Sequence, residues 1–240
     1  MSHVLATGGG PSAYWYLTRS TGIVALVLLS AAVTLGVIDV RRLSSPRWPR
    51  FVVDGLHGTV SLLAVVFVTL HVLTSVLDGF APISITAAVI PFIGSYRPFW
   101  LGLGAVAFDL LLALVVTSLL RSRLKHSTWR ATHWLAYACW PVALLHGFGT
   151  GSDARGSWFL LISILCTLAV VGAAAVRLLG GWRANPRTCG TALAGLAAFG
   201  LFLIVWLPSG PLEKNWAQRS GTPANLLPHA TTKTRGGAVQ

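Results

Sequence analysis

Seven histidines occur in this chain, and four of them stand inside long apolar stretches: His57 and His71 in one, His133 and His146 in another. An ionisable side chain at such a place is costly and marks a functional site by default. His57 and His71 are 14 residues apart, which is about 21 Å of helix rise and close to four whole turns. Both rings therefore leave one helix on nearly the same face. His133 and His146 are 13 apart, about 19.5 Å of rise. If the two segments start from the same side of a membrane, His57 meets His133 at one depth and His71 meets His146 at another. Two facing imidazoles at one depth suit a planar cofactor held edge-on between helices, such as a haem iron with two axial histidines. Zinc needs three or four ligands converging on one point, which two separated pairs do not supply. The alternatives are rings bonded only to backbone carbonyls, or one haem with the other pair structural.

The spacing leaves one geometric difficulty. Thirteen residues at about 100° each put His146 roughly 140° away from His133 around the helix. Pro141 lies between them, and a proline kink is the expected device for swinging His146 round. Trp140 and Phe67 lie at intermediate depth, where they either pack between helices or stand between two cofactors.

The elements that must carry these residues follow from composition. Apolar residues make up 54% of the 240, charged residues only 10%, and the formal net charge is +12. Mean hydropathy is +0.71. A disordered chain needs low hydrophobicity, and a nucleic-acid binder needs a basic patch on a soluble surface; this chain has neither, so no nucleic-acid partner is expected. Stretches of about 20 apolar residues span a bilayer. Six are present, at 17–38, 53–77, 100–120, 129–148, 158–179 and 191–207. The fold expected is an all-α, polytopic membrane bundle of six transmembrane helices. Residues 83–93 are apolar but too short to span and suit an interfacial or re-entrant helix. Residues 1–13 read as a flexible terminus without the basic start of a signal peptide, and 208–240 as a flexible tail. Cys139, Cys166 and Cys189 form no disulfide or zinc pattern and read as small buried hydrophobes.

Basic residues set the orientation. Eleven lie in three connections: Arg41, Arg42, Arg47 and Arg50; Arg121, Arg123, Lys125 and Arg130; Arg177, Arg183 and Arg187. Opposite them, near or between spans, stand only Arg19, Arg97 and Arg155, with four more in the tail. The positive-inside rule puts the basic loops in the cytoplasm and both termini outside a cell membrane. Arg19 and Arg97 then lie at the outer end, where a guanidinium either holds carboxylates of a bound cofactor or anchors at the interface. Arg50 and Arg130 stand similarly at the inner end. Asp109, mid-span, either receives a histidine N–H, or is a neutral structural group, or relays protons.

With the histidine pairs His57/His71 and His133/His146, the segments Tyr16-Leu17-Thr18-Arg19-Ser20-Thr21-Gly22, Arg97-Pro98-Phe99-Trp100-Leu101-Gly102 and His133-Trp134-Leu135-Ala136-Tyr137 carry a resemblance. The chain resembles the ferric reductase-like transmembrane domain, the haem b core of NADPH oxidases and ferric-chelate reductases and of small bacterial haem subunits. The resemblance covers 14–180, with 181–207 as an additional sixth helix. It implies a b-type cytochrome that moves single electrons across the membrane through two haems, or one, ligated by His57, His71, His133 and His146. Full-length members continue into a flavin and nicotinamide domain, and no such fingerprint occurs in this sequence. The expectation is therefore no flavin or NAD site on this chain, with electrons supplied by a separate cytoplasmic flavoprotein or by quinol. The acceptor outside is then a ferric chelate or another protein. A cofactor-free six-helix transporter or scaffold is the competing expectation from a different class.

Overall fold

The computed structural model describes residues 12–40, 49–81, 83–151 and 155–227. Regular structure among them is entirely helical: α1 (Ala13–Val40), α2 (Arg50–Leu77), α3 (Ile85–Val89), α4 (Pro98–Leu119), α5 (His126–His133), α6 (Ala136–Thr150), α7 (Ser157–Gly181), α8 (Pro186–Ser209) and α9 (Trp216–Arg219), followed by a 3₁₀ turn at Ala224–Leu226. Five of these, α1, α2, α4, α7 and α8, are long and apolar enough to cross a membrane. Side chains such as Leu62, Leu165, Leu168 and Ile204 turn more than half their surface outward. An apolar skin of that extent belongs against lipid, and the protein is a multi-pass membrane protein.

Backbone chemistry explains the elements. In hydrocarbon every backbone polar group must bond within the protein, so the spans are helices. Many of their hydroxyls bond back to the helix: Thr21 donates to the Leu17 carbonyl, Ser30 to Leu26, Thr74 to Leu70 and Thr167 to Ser163. Pro98 and Pro186 stand in the first turns of α4 and α8, where a missing N–H costs nothing. The short apolar stretch after α2 forms α3, capped by Ser84, whose Oγ accepts from the Ala87 N–H.

The packing is pairwise. α2 lies along α1, α6 along α4, and α7 against α1, while α8 touches α7. A core of Leu26, Trp140, Leu144, Phe148, Phe159, Cys166, Val170 and Leu203 joins α1, α6, α7 and α8. Trp140 belongs to this core: it is 3% exposed and its Nε1–H donates to Ser30 Oγ at 2.7 Å. α2, with His57 and His71, is not closely packed against α5, with His133, or α6, with His146.

The fourth span is the element that departs from a regular helix. It is divided into α5 and α6 at Trp134 and Leu135, whose φ/ψ of −63/−21° and −60/−20° are those of a 3₁₀ helix. The N–H groups of Trp134, Leu135, Tyr137 and Ala138 each bond the carbonyl three residues back. A 3₁₀ turn holds 3.0 residues rather than 3.6, so each residue advances by about 20° more. The two residues with these dihedrals recover about 40° of the roughly 140° that separates the two rings in a regular helix. A local change of winding upstream of Pro141 thus adds to the proline expected from sequence to turn the ring. Pro141 contributes by having no N–H for the Tyr137 carbonyl.

The stretch from Pro208 also differs from the flexible tail expected. Residues 208–227 fold back over the end of the bundle. Trp216 is buried, Pro211 is fully buried, and Arg219 pairs with Glu213. Burial of an indole and a proline ring supplies what the composition of the segment conceals. Residues 1–11 and 228–240, with Arg41, Arg42 and Arg47, lie outside the described residues, as does the side chain of Arg50.

Candidate functional site

The four histidines come together in two pairs, as their depths require. His57 faces His133 with ring centroids 6.4 Å apart, and His71 faces His146 at 6.2 Å. The rings of each pair are steeply inclined to one another, at 68° and 81°. Two imidazole nitrogen–metal bonds of about 2.0–2.1 Å, the figure for zinc, leave roughly 2 Å of that separation for the two ring radii. Each pair is therefore spaced to hold one ion between its rings. Among the described residues no group of three or more histidine, cysteine or acidic side chains converges on a point. Any metal here takes two ligands from the protein and the rest from elsewhere.

Three of the rings are seated in the same way. His71 Nδ1 lies 2.7 Å from the Thr18 carbonyl, His57 Nδ1 3.0 Å from Ala32, and His146 Nδ1 2.9 Å from Trp100. A carbonyl oxygen only accepts, so Nδ1 carries the proton in each ring and Nε2 is left with a lone pair for a metal. Such a bond also fixes the ring's orientation and raises its basicity. Each ring lies on a glycine four residues after its carbonyl: His71 on Gly22, His57 on Gly36, His146 on Gly104. A Cβ at Gly22 would stand 2.9 Å from His71, one at Gly36 3.3 Å from His57, and one at Gly104 would overlap the His146 ring. At Gly22 and Gly104 any side chain would force the ring to shift, and at Gly36 the ring would have to give by a few tenths of an ångström.

His133 is the exception. Its Nδ1 is buried without a hydrogen-bond partner. The register that puts His146 on Gly104 and the Trp100 carbonyl puts His133, thirteen residues earlier, at Thr117 and the Ala113 carbonyl. Thr117 has a side chain where the other seats have none, and its Oγ1 donates to the Ala113 carbonyl at 2.7 Å. His133 instead stacks on Trp129, centroids 5.0 Å apart, with the Arg121 guanidinium 4.6 Å from the Trp129 ring.

A cavity of about 260 Å³ adjoins the His71/His146 pair. His71, His146, Gly22 and Gly104 line it, together with Arg19. Arg19 also lies over the Trp15 ring at 3.8 Å. It is part of the cavity lining.

Arg97 is not. It is 4% exposed, and its guanidinium is committed to protein: Nη1 donates to the Gly149 and Thr150 carbonyls at 3.0 and 3.1 Å, and Nε to Thr222 Oγ1 at 2.9 Å. It caps the C-terminal carbonyls of α6, which have no partners within the helix. Burial lowers its pKa from the ordinary value, against an opposing contribution from Tyr96. Arg130 is exposed on α5. Asp109 is half-buried on α4 and bonds none of the histidines, since three Nδ1 atoms go to carbonyls and the fourth is unpartnered.

The sequence reading did not identify the glycine seats. Their signal is nonetheless present: Gly22 and Gly36 are separated by the same fourteen residues as His57 and His71, as antiparallel neighbours must be. Trp206, Trp216 and Thr222 gave no such signal.

A family model described as ferric reductase like transmembrane component matches residues 21–144, a little over half of the chain. The match contains His57, His71 and His133 and ends two residues before His146. No curated protein and no solved structure matches the chain.

Proposed function

The chain belongs to the family of ferric reductase like transmembrane components, and from that premise we propose that it is a membrane b-type cytochrome with two bis-histidine haems. His57 and His133 hold the inner one, His71 and His146 the outer. The observation that carries this reading is the pair of facing imidazoles repeated at two depths, with Nδ1 of three rings tied to carbonyls. A haem held by two imidazoles supplies a one-electron ferric/ferrous couple. The chain's own residues do the rest. The Thr18, Ala32 and Trp100 carbonyls fix the tautomer of the ligating rings. The glycines Gly22, Gly36 and Gly104 let those rings lie against α1 and α4. Leu26, Trp140, Leu144 and their neighbours fill the bundle with apolar groups that exclude water between the two levels. Arg19 meets the propionates at the outer level.

The two levels are about 20 Å apart by helix rise, enough to relay electrons from one face of the bilayer to the other. The donor is a cytoplasmic flavoprotein or quinol, and the acceptor a ferric chelate or an extracytoplasmic protein. In that role the protein is an oxidoreductase, or the haem subunit of one.

The test is haem content of the purified full-length chain expressed with haem supply. Two b-type haems per chain are expected in reduced-minus-oxidised spectra, and one after His71→Ala. Colourless protein would refute the reading in favour of a cofactor-free transporter or scaffold.

A further inference from the structure

We propose that the segment after the sixth span is a clamp that positions the outer histidine pair, with Trp216 as its central positioning residue. The inference rests on the haem reading above. It concerns residues well outside the matched region 21–144.

The argument starts from His146. Its Nδ1–H donates to the Trp100 carbonyl, so its orientation depends on where Trp100 and the end of α6 are held. Both are held from the C-terminal side. The Trp100 ring lies 5.0 Å from Trp206 on α8 and 5.2 Å from Trp216 on α9, and Trp216 stands 6.1 Å from Trp206. Trp216 Nε1–H donates to the Gly149 carbonyl at 3.1 Å, three residues beyond His146. The same carbonyl accepts from Arg97, which in turn donates through Nε to Thr222 Oγ1 and through its backbone N–H to the Gly221 carbonyl. Arg97 has φ +42°, a left-handed conformation that costs a non-glycine residue of order 1–3 kcal/mol and persists only where its surroundings impose it. One indole thus touches the element carrying the outer ligand and the residue whose carbonyl orients that ligand. Among the described residues the C-terminal segment makes no hydrogen bond or ring contact to His57 or His133.

A hydrogen bond to Nδ1 raises the basicity of the ligating ring and favours ferric iron. Loosening the clamp weakens that bond and should raise the potential of the outer haem alone. The experiment is a redox titration of the purified full-length protein, followed optically and by low-temperature electron paramagnetic resonance. For Trp216→Ala we expect about a tenfold shift toward the reduced form of one haem at fixed ambient potential, or about 59 mV for one electron. The low-spin signal of that haem should change while the other stays as in wild type. Trp216→Phe keeps the ring stack and should recover most of the shift. Thr222→Val, which removes the acceptor of Arg97 Nε, should move the same haem in the same direction and serves if Trp216→Ala does not accumulate. Unchanged potentials in the variant that folds, or equal shifts in both haems, would overturn the clamp while leaving the haem reading intact. A wild-type protein without haem would overturn both.

Discussion

Three of the four histidines obey one local rule: ring on a glycine, Nδ1–H to the carbonyl four residues before it. The rule makes the glycine as necessary as the histidine, and it separates glycines that form seats from those that do not. A methyl group at Gly104 would occupy the space of the His146 ring, whereas one at Gly172 on α7 meets nothing within 4 Å. Gly104→Ala should therefore displace His146 and remove one haem per chain, seen as halved absorbance per protein. Gly172→Ala should retain both haems and gain up to about 1 kcal/mol of helix propensity. If Gly104→Ala keeps two haems with unaltered spectra, the seat does not position the ligand. The exception at His133 fits the same logic from the other side. There the place of the glycine is taken by Thr117, whose hydroxyl occupies the Ala113 carbonyl, and the ring rests on Trp129 instead.

At the level of elements, Arg97 shows where function and architecture are easily confused. Three side-chain hydrogen bonds from a buried cation join the start of α4, the end of α6 and the segment after α8. Bonds to charged groups contribute about 1.5–3 kcal/mol each, and their loss leaves the α6 carbonyls unpaired. Arg97→Ala should cost about 3 kcal/mol or more, a fall of roughly 6–12 °C in the melting temperature for a chain of this size. Thermal unfolding in detergent measures it. Haem loss without a change in melting temperature would return Arg97 to propionate binding. The sequence displayed the histidines, because an imidazole in an apolar span stands out, and it displayed their pairing, because helix rise is fixed at 1.5 Å per residue. It did not display the 3₁₀ winding at Trp134 and Leu135, where no glycine or proline marks the break. Nor did it show that Arg97 faces inward or that 208–227 fold back. Both depend on partners more than fifty residues distant, Gly149 and Thr222 among them, and a polar segment carrying one tryptophan looks like any tail.

For the molecule as a whole, the direction of electron flow depends on which end is cytoplasmic. The outer pair is identified here by position alone: His71 and His146 lie at the end where α2 leaves the membrane and α6 meets the folded C-terminal segment. The loops at the opposite end hold eleven basic residues against three in the short outer connections. Lys214 and Arg219 follow the end of α8 closely and make the count eleven against five, which keeps its sign, and Arg219 is paired with Glu213. Single cysteines can settle the orientation, because Cys139, Cys166 and Cys189 are all buried and should react slowly. Arg123 and Asn225 are exposed at the two ends. On intact cells a membrane-impermeant maleimide should label Asn225→Cys at once, and Arg123→Cys only after lysis. The reverse pattern would put the His57/His133 pair outside. Electrons from a cytoplasmic donor would then enter beside His71 and His146 under the C-terminal clamp, and leave past the unpartnered His133.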